Sequence, residues 1–153
     1  MAFSLVSPAL RDGAPIPETY VREGRNRSPP LRWSDPPNGT RSFLLIAEDT
    51  DAPDGVFRHW AMYNLDPSVR ELPEGAGDGS AHLGRMGRND FGRRAYDGPQ
   101  PPSGDGPHHY HFRLAALDTP HLDVPPNADG QALLDAARTH LLDEAQIVVT
   151  YER

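Results

Sequence analysis

A mainly β fold, a Greek-key antiparallel β-sandwich with one C-terminal helix and long ordered loops, is predicted by three features of the sequence. Short β-type runs recur along the chain, clusters of Pro, Gly, Asp and Asn separate them, and only one stretch has helical periodicity. The 14 glycines and 17 prolines are about a fifth of the chain, above the usual share of about 12%, which points to many fixed turns. By length the 153 residues make a single domain, 1–153, able to hide about 70% of the surface its unfolded chain exposes.

The runs come in order. "AFSLVS" near Phe3, "PLRWS" from Pro30 and "SFLLIAE" from Ser42 are the first three, then "FRHWAMYNL" from Phe57, "YHFRLAAL" from Tyr110 and "QIVVTYER" from Gln146. "DPPNGT" and "DAPDG" have turn composition between them. The helix is expected over Gly130 to Asp143, where Leu133, Ala136, Ala137, His140 and Leu141 recur at helical spacing behind a cap at Asp129. Strands without alternating helices imply an antiparallel sandwich with the helix packed late on one side. Leu72 to Arg94 and Tyr96 to Pro107 are too long for ordinary connections, and loops of that length are usually functional or disordered. Trp33 and Trp60 lie inside β-type runs and are expected in the core or the pocket wall rather than on an exposed stacking platform, with each indole N–H finding a partner.

Composition removes whole classes of chemistry. There is no cysteine, hence no disulfide, thiolate metal site or cysteine nucleophile. All 15 basic residues are arginine, so lysine bases and Schiff bases are excluded. A formal charge of −7 argues against a nucleic-acid surface. The opening "MAFSLVSPALRDGAPIP" lacks the pattern of a secretory leader, and no run approaches the roughly 18 apolar residues of a membrane span. The expectation is a cytoplasmic protein without integral membrane association, monomer or homodimer.

Strand parity sorts the titratable residues. In "HHYHFRLAAL" the more apolar face carries His108, Tyr110, Phe112, Leu114 and Ala116, and the wetter face carries His109, His111 and Arg113. In "SFLLIAED" Asp49 shares a face with Phe43, Leu45 and Ala47, which brings a carboxylate to buried surface at a strand end. An isolated buried carboxylate would cost several kcal/mol or take up a proton. It therefore needs a cationic partner or donors, with His59 as the candidate, or else it caps the "DTDAPDG" turn through its own backbone.

At these residues the sequence resembles the phosphatidylethanolamine-binding protein family, in its bacterial Raf-kinase-inhibitor-like branch. The resemblance runs through "SPPLRWSDPPNGTRSFLLIAEDTDAP", "RHWAMYNL", "NDFGRRAYDGPQPPSGDGPHHYHFRLAALD" and "HLLDEAQIVVTYER". It implies the same Greek-key sandwich and a small anion pocket. Carried over, the pocket comprises Asp49 with Ala52 and Pro53 shaping the turn, His59, and the loop-and-strand residues Gly98, Pro101, Pro102, Gly106, His108 and Tyr110. It also implies a cis Ala52–Pro53 bond. The sequence departs from the motifs at Thr50, where a proline is usual, and at His109, where arginine is usual.

The leading functional expectation is a binding module for phosphate, a phosphorylated head group or a carboxylate, without a cofactor, which regulates a partner protein. No G-x-S-x-G, H-E-x-x-H or P-loop is present. Two alternatives compete. One is a hydrolase, metal-assisted through Asp49, His59 and His108 or nucleophilic through Ser103. The other is an interaction protein with a vestigial pocket, working through its acidic surface and the Arg85 to Arg94 segment.

Overall fold

The computed structural model describes residues 2–80 and 82–153. Its strands in chain order are β1 (Ser4–Val6), β2 (Leu31–Ser34), β3 (Ser42–Asp49), β4 (Phe57–Leu65), β5 (Glu71–Leu72), β6 (Arg85–Met86), β7 (His108–Leu117) and β8 (Leu141–Tyr151), with one α-helix, α1 (Gly130–Ala137), before β8. They form two antiparallel sheets, a small one ordered β1-β2-β5 and a large one ordered β6-β4-β3-β7-β8. The sandwich expected from the runs is the fold observed. The short edge strands β5 and β6 are additions, each two residues long and too brief for any periodicity to reveal.

Strand β3 is buried at all eight positions because both its faces are covered. Phe43, Leu45 and Ala47 pack with Trp60, Met62, Phe112 and Leu114 against Leu5, Leu31, Trp33 and Leu72 of the small sheet. On the other face Leu44 and Ile46 join Ala61, Tyr63, Ala115 and Leu117 beneath Leu133 and Ala137 of α1. The two tryptophans are buried as expected. Their indole N–H groups, however, lack hydrogen-bond partners among the described residues. Each ring instead meets an aromatic edge, Phe43 for Trp33 and Tyr96 for Trp60.

Asp129 caps α1 by accepting from the Ala132 N–H at 2.9 Å. The helix is shorter than its periodicity predicts, passing through a 3-10 turn at Arg138–His140 into β8. Leu141 and Asp143 are taken by ladder pairing to Leu117 and Ala116, and that pairing overrides the helical pattern.

The expected cis Ala52–Pro53 bond is not found, since no peptide bond among the described residues is cis. Other devices reverse the chain here. Asp49 Oδ1 accepts from Asp51 N–H at 2.8 Å, Gly55 N–H donates to Ala52 O at 3.1 Å, and Gly55 adopts φ 108°. With the turn closed at the glycine, proline keeps the trans form, favoured by about 0.5–1 kcal/mol.

A β-bulge in β4 sets the position of His59. Ala47 pairs with Trp60 but Glu48 pairs with Arg58, so His59 is an extra residue without a cross-strand partner. Strict alternation would send His59 to the α1 face with Ala61 and Tyr63. The bulge breaks the alternation: Arg58 reaches across to Glu48 and α1, while Trp60 turns inward.

The loop after Tyr96 crosses close to the Glu18–Tyr20 turn, and Gly98 is the contact point. A Cβ there would lie 2.0 Å from Tyr20 O. Gly98→Ala should therefore destabilise the protein by about 1–3 kcal/mol, the usual cost of overpacking against unyielding backbone. Chemical denaturation of both proteins measures it.

Candidate functional site

The β-strand register brings the sequence-predicted residues to one end of the large sheet. Asp49 ends β3 and pairs with both Phe57 of β4 and Tyr110 of β7. A pocket of about 140 Å³ opens there, lined by Asp49, Ala52, Pro53, Phe57, His59, Phe91, Gln100, Pro101, Pro102, His108 and Tyr110. Gly98 is not on its wall. Its amide instead donates to Asn26 Oδ1 at 2.7 Å, so the glycine serves the packing of the loop. Gly106 is likewise outside the wall, adopting φ 79° in the turn before His108.

Asp49 is buried, and its partner is His108 rather than His59. His108 Nδ1 lies 2.6 Å from Asp49 Oδ2, while Asp49 Oδ1 holds the Asp51 amide. The carboxylate thus both caps its turn and pairs with a cation, combining the two roles the sequence left open. The other ring nitrogen, Nε2, lies 2.6 Å from Asp105 Oδ2. Both carboxylates accept, so both nitrogens donate and the ring is an imidazolium. Burial opposes that charge, but hydrogen bonds to Asp49 and Asp105 and their negative charges outweigh it and raise the His108 pKa above its ordinary value.

His59 is the opposite case. Nδ1 donates to Asp97 O at 2.7 Å, and no partner for Nε2 occurs among the described residues. Burial dominates and lowers its pKa, so the ring is neutral with Nε2 as a lone-pair acceptor. Tyr110 adds a donor. Its hydroxyl is buried and makes no hydrogen bond of ordinary geometry among the described residues, although Asp49 is near enough to reinforce the rise in its pKa that burial causes.

Aromatic rings frame these groups. Phe91 meets Phe57 at 4.8 Å and His59 at 5.6 Å between centroids, and His59 meets Tyr110 at 5.5 Å. Arg22 covers Phe91, its guanidinium 4.0 Å from the ring centre, and donates to Gln100 Oε1 at 2.7 Å.

Neither Phe91 nor the residues that hold it stand out in the sequence. Asn89, buried, accepts from the Phe91 and Arg93 amides and donates to Ala95 O and Asp97 Oδ2. Fully buried Asp97 also takes hydrogen bonds from Asn26 and Arg93. The available signal is an Asn and an Asp among glycines inside loops of functional length.

The two motif departures are accommodated locally. His109 supports the acidic turn itself, with its backbone N–H and Nδ1 at 2.8 and 2.7 Å from Asp51 Oδ2. Those contacts hold the Asp51 carboxyl below its ordinary range. Thr50 donates its amide to His109 O at 3.2 Å, a bond that a proline could not make. Arg58, Arg93 and Arg94 are engaged elsewhere, with Glu48, Asp97 and Pro126 O respectively.

For the hydrolase reading, among the described residues no group of three His, Asp or Glu is placed to hold a metal ion. Both His108 nitrogens are occupied by carboxylates. Ser103 is exposed on its loop, and no described histidine bonds its hydroxyl.

The phosphatidylethanolamine-binding protein sequence model matches residues 6–152. The chain belongs to that family. A UPF0098 protein of Aquifex aeolicus is 39% identical over 148 residues, spanning 96% of this chain and 86% of its own. The UPF0098 protein YbcL of Escherichia coli is 37% identical, spanning 99% and 88%. The crystal structure of YbcL, a member of the mammalian family by its own description, superposes with a TM-score of 0.94, covering 99% of this chain and 98% of that one. The Chlamydia trachomatis homolog CT736 gives 0.88 at 38% identity, with the same coverage. The family fold anticipated from the motifs is thus the observed one. No helix among the described residues is long and apolar enough to cross a membrane.

The raised His108 pKa has a definite sign in stability. A group whose pKa is raised on folding stabilises fully below its unfolded value, about 6.5 for histidine, and that contribution disappears as pH rises through the folded value. Asp49→Asn removes the largest favourable cause of the rise. The melting temperature of Asp49→Asn should therefore fall furthest below wild type near pH 6, with the gap narrowing as pH rises. Burial lowers the His59 pKa and the Asp49 charge opposes that fall, so losing the charge acts on His59 in the same direction and adds to the gap at low pH.

Proposed function

We propose that this family member binds a small ligand through a phosphate or carboxylate group in the Asp49–His108 pocket, with a phosphorylated head group as the best match. The observation that carries this reading is the pairing, within one small pocket, of the His108 imidazolium and the buried Tyr110 hydroxyl beneath apolar walls. The volume of about 140 Å³ is below the roughly 300–1,000 Å³ of pockets for drug-sized ligands. It suits a head group and not a long chain.

The charge balance refines the ligand. One imidazolium faces two carboxylates, Asp49 and Asp105, and His59 is neutral, so a plain anion meets a site with net negative charge. A zwitterion such as phosphoethanolamine brings its own cation and avoids that penalty. His59 Nε2 adds an acceptor for a ligand N–H or O–H. We place this binding in the cytoplasm, in keeping with a cysteine-free chain, and read regulation of a partner protein as a use of the occupied pocket.

Calorimetric titration tests the proposal. Phosphoethanolamine should bind more tightly than inorganic phosphate, and its affinity should fall as pH rises through the His108 pKa, because the anion requires the imidazolium. His108→Ala should abolish the pH dependence and most of the affinity. Affinity that is flat with pH and unchanged by this substitution would place the anion elsewhere.

A further inference from the structure

Asp105 sits where an incoming anion would have to bind. His108 has two ring nitrogens, and the inner one is committed to buried Asp49 at 2.6 Å. Only Nε2 remains to meet a ligand, and the Asp105 carboxylate already occupies it, also at 2.6 Å. The two carboxylates are not equivalent: the Asp49 side chain is 5% exposed and the Asp105 side chain 42%. Asp49 is fixed by the strand that carries it. Asp105 lies in a loop between Gly104 and Gly106, both at φ 79° with open space where a Cβ would be.

We infer that Asp105 is a resident competitor, a carboxylate of the chain itself that holds His108 Nε2 and must be displaced before the phosphate or carboxylate of a ligand can bind. The inference rests on the reading of the pocket given above and adds to it the residue that sets how readily plain anions enter. Displacement requires little of the backbone. The loop is pinned on the approach to the side chain, by Gly104 N–H to Arg153 O, Asp105 N–H to Pro102 O and Arg153 Nη1 to Pro101 O. Rotation about the Asp105 side-chain bonds is enough to free Nε2 while the loop stays in place.

Intramolecular competition of this kind weakens every anion by the fraction of time Nε2 is covered. Asp105 also remains at the rim after it swings away, so its negative charge continues to oppose a plain anion. Both effects vanish in Asp105→Ala, while the hydrogen bond to Asp49, the larger of the favourable causes, continues to hold the His108 pKa up against burial. A half-exposed carboxylate is tolerant of substitution, and no backbone hydrogen bond among the described residues depends on its side chain.

The experiment is titration of inorganic phosphate at pH 6.5 and constant ionic strength into wild type, Asp105→Ala, Asp105→Asn and Asp123→Asn. Asp123 is exposed on a distant loop and controls for loss of one negative charge. Asp105→Ala should tighten phosphate binding by about fivefold, the scale of a partly exposed ion pair that no longer competes. Asp105→Asn should give a smaller gain, because its amide oxygen still accepts from Nε2 without carrying charge, and Asp123→Asn should change nothing. Binding that is unchanged or weaker in Asp105→Ala, with wild type binding normally, would overturn the competitor while leaving the pocket reading intact. An equal gain in Asp123→Asn would also overturn it by tracing the effect to net charge. Absence of phosphate and phosphoethanolamine binding in every folded variant would remove the pocket reading itself, and the inference with it.

Discussion

The buried ion pair between Asp49 and His108 is the constraint around which this end of the molecule is arranged. The apolar alternation of β3 carries the Asp49 carboxylate to a position that is 3% exposed, where an unpaired charge would be costly. Strand β7 answers it because its own alternation puts His108 and Tyr110 on the same inner face. Neither strand could shift by one residue without turning the carboxylate or the imidazole to the opposite side of the sheet. The pair therefore ties the register of the two central strands to the chemistry at their ends.

That pair creates a division of labour between two histidines of the same pocket. His108, between two carboxylates, is the cation. His59, bonded to a backbone carbonyl and surrounded by Phe57, Phe91 and Tyr110, is the neutral acceptor. Asp97 connects the second histidine to the rest of the protein. Its carbonyl fixes the His59 tautomer, and its carboxylate gathers Asn26, Asn89 and Arg93 behind the pocket wall. The Phe91 loop and the proline-rich loop are thereby held against one another with a buried charge at the junction.

Much of this is legible in the sequence where a short-range rule applies. Period-two alternation finds the inner face of β7 and the inward aim of Asp49, and cap chemistry finds Asp129. Long-range pairing supplies what such rules miss. The bulge that points His59 inward depends on how Glu48 and Arg58 meet across two strands, and nothing in "FRHWAM" announces it. The motif resemblance names His59, which lines the pocket wall, but cannot state its charge. It also names Gly98, whose close approach to Tyr20 O gives it a packing role. Asp105 escapes notice because an aspartate between glycines reads as turn chemistry. Only the folded loop brings it over the outer nitrogen of His108.

The two pocket histidines hold different charge states, a difference that nitrogen-15 NMR of the imidazole rings reads at each ring nitrogen. In the unliganded protein near pH 6.5, both nitrogens of His108 should resonate as protonated, pyrrole-type nitrogens. His59 should show one protonated nitrogen, Nδ1, and one unprotonated nitrogen, Nε2. A charged His59 together with a neutral His108 at that pH would overturn this assignment of charge.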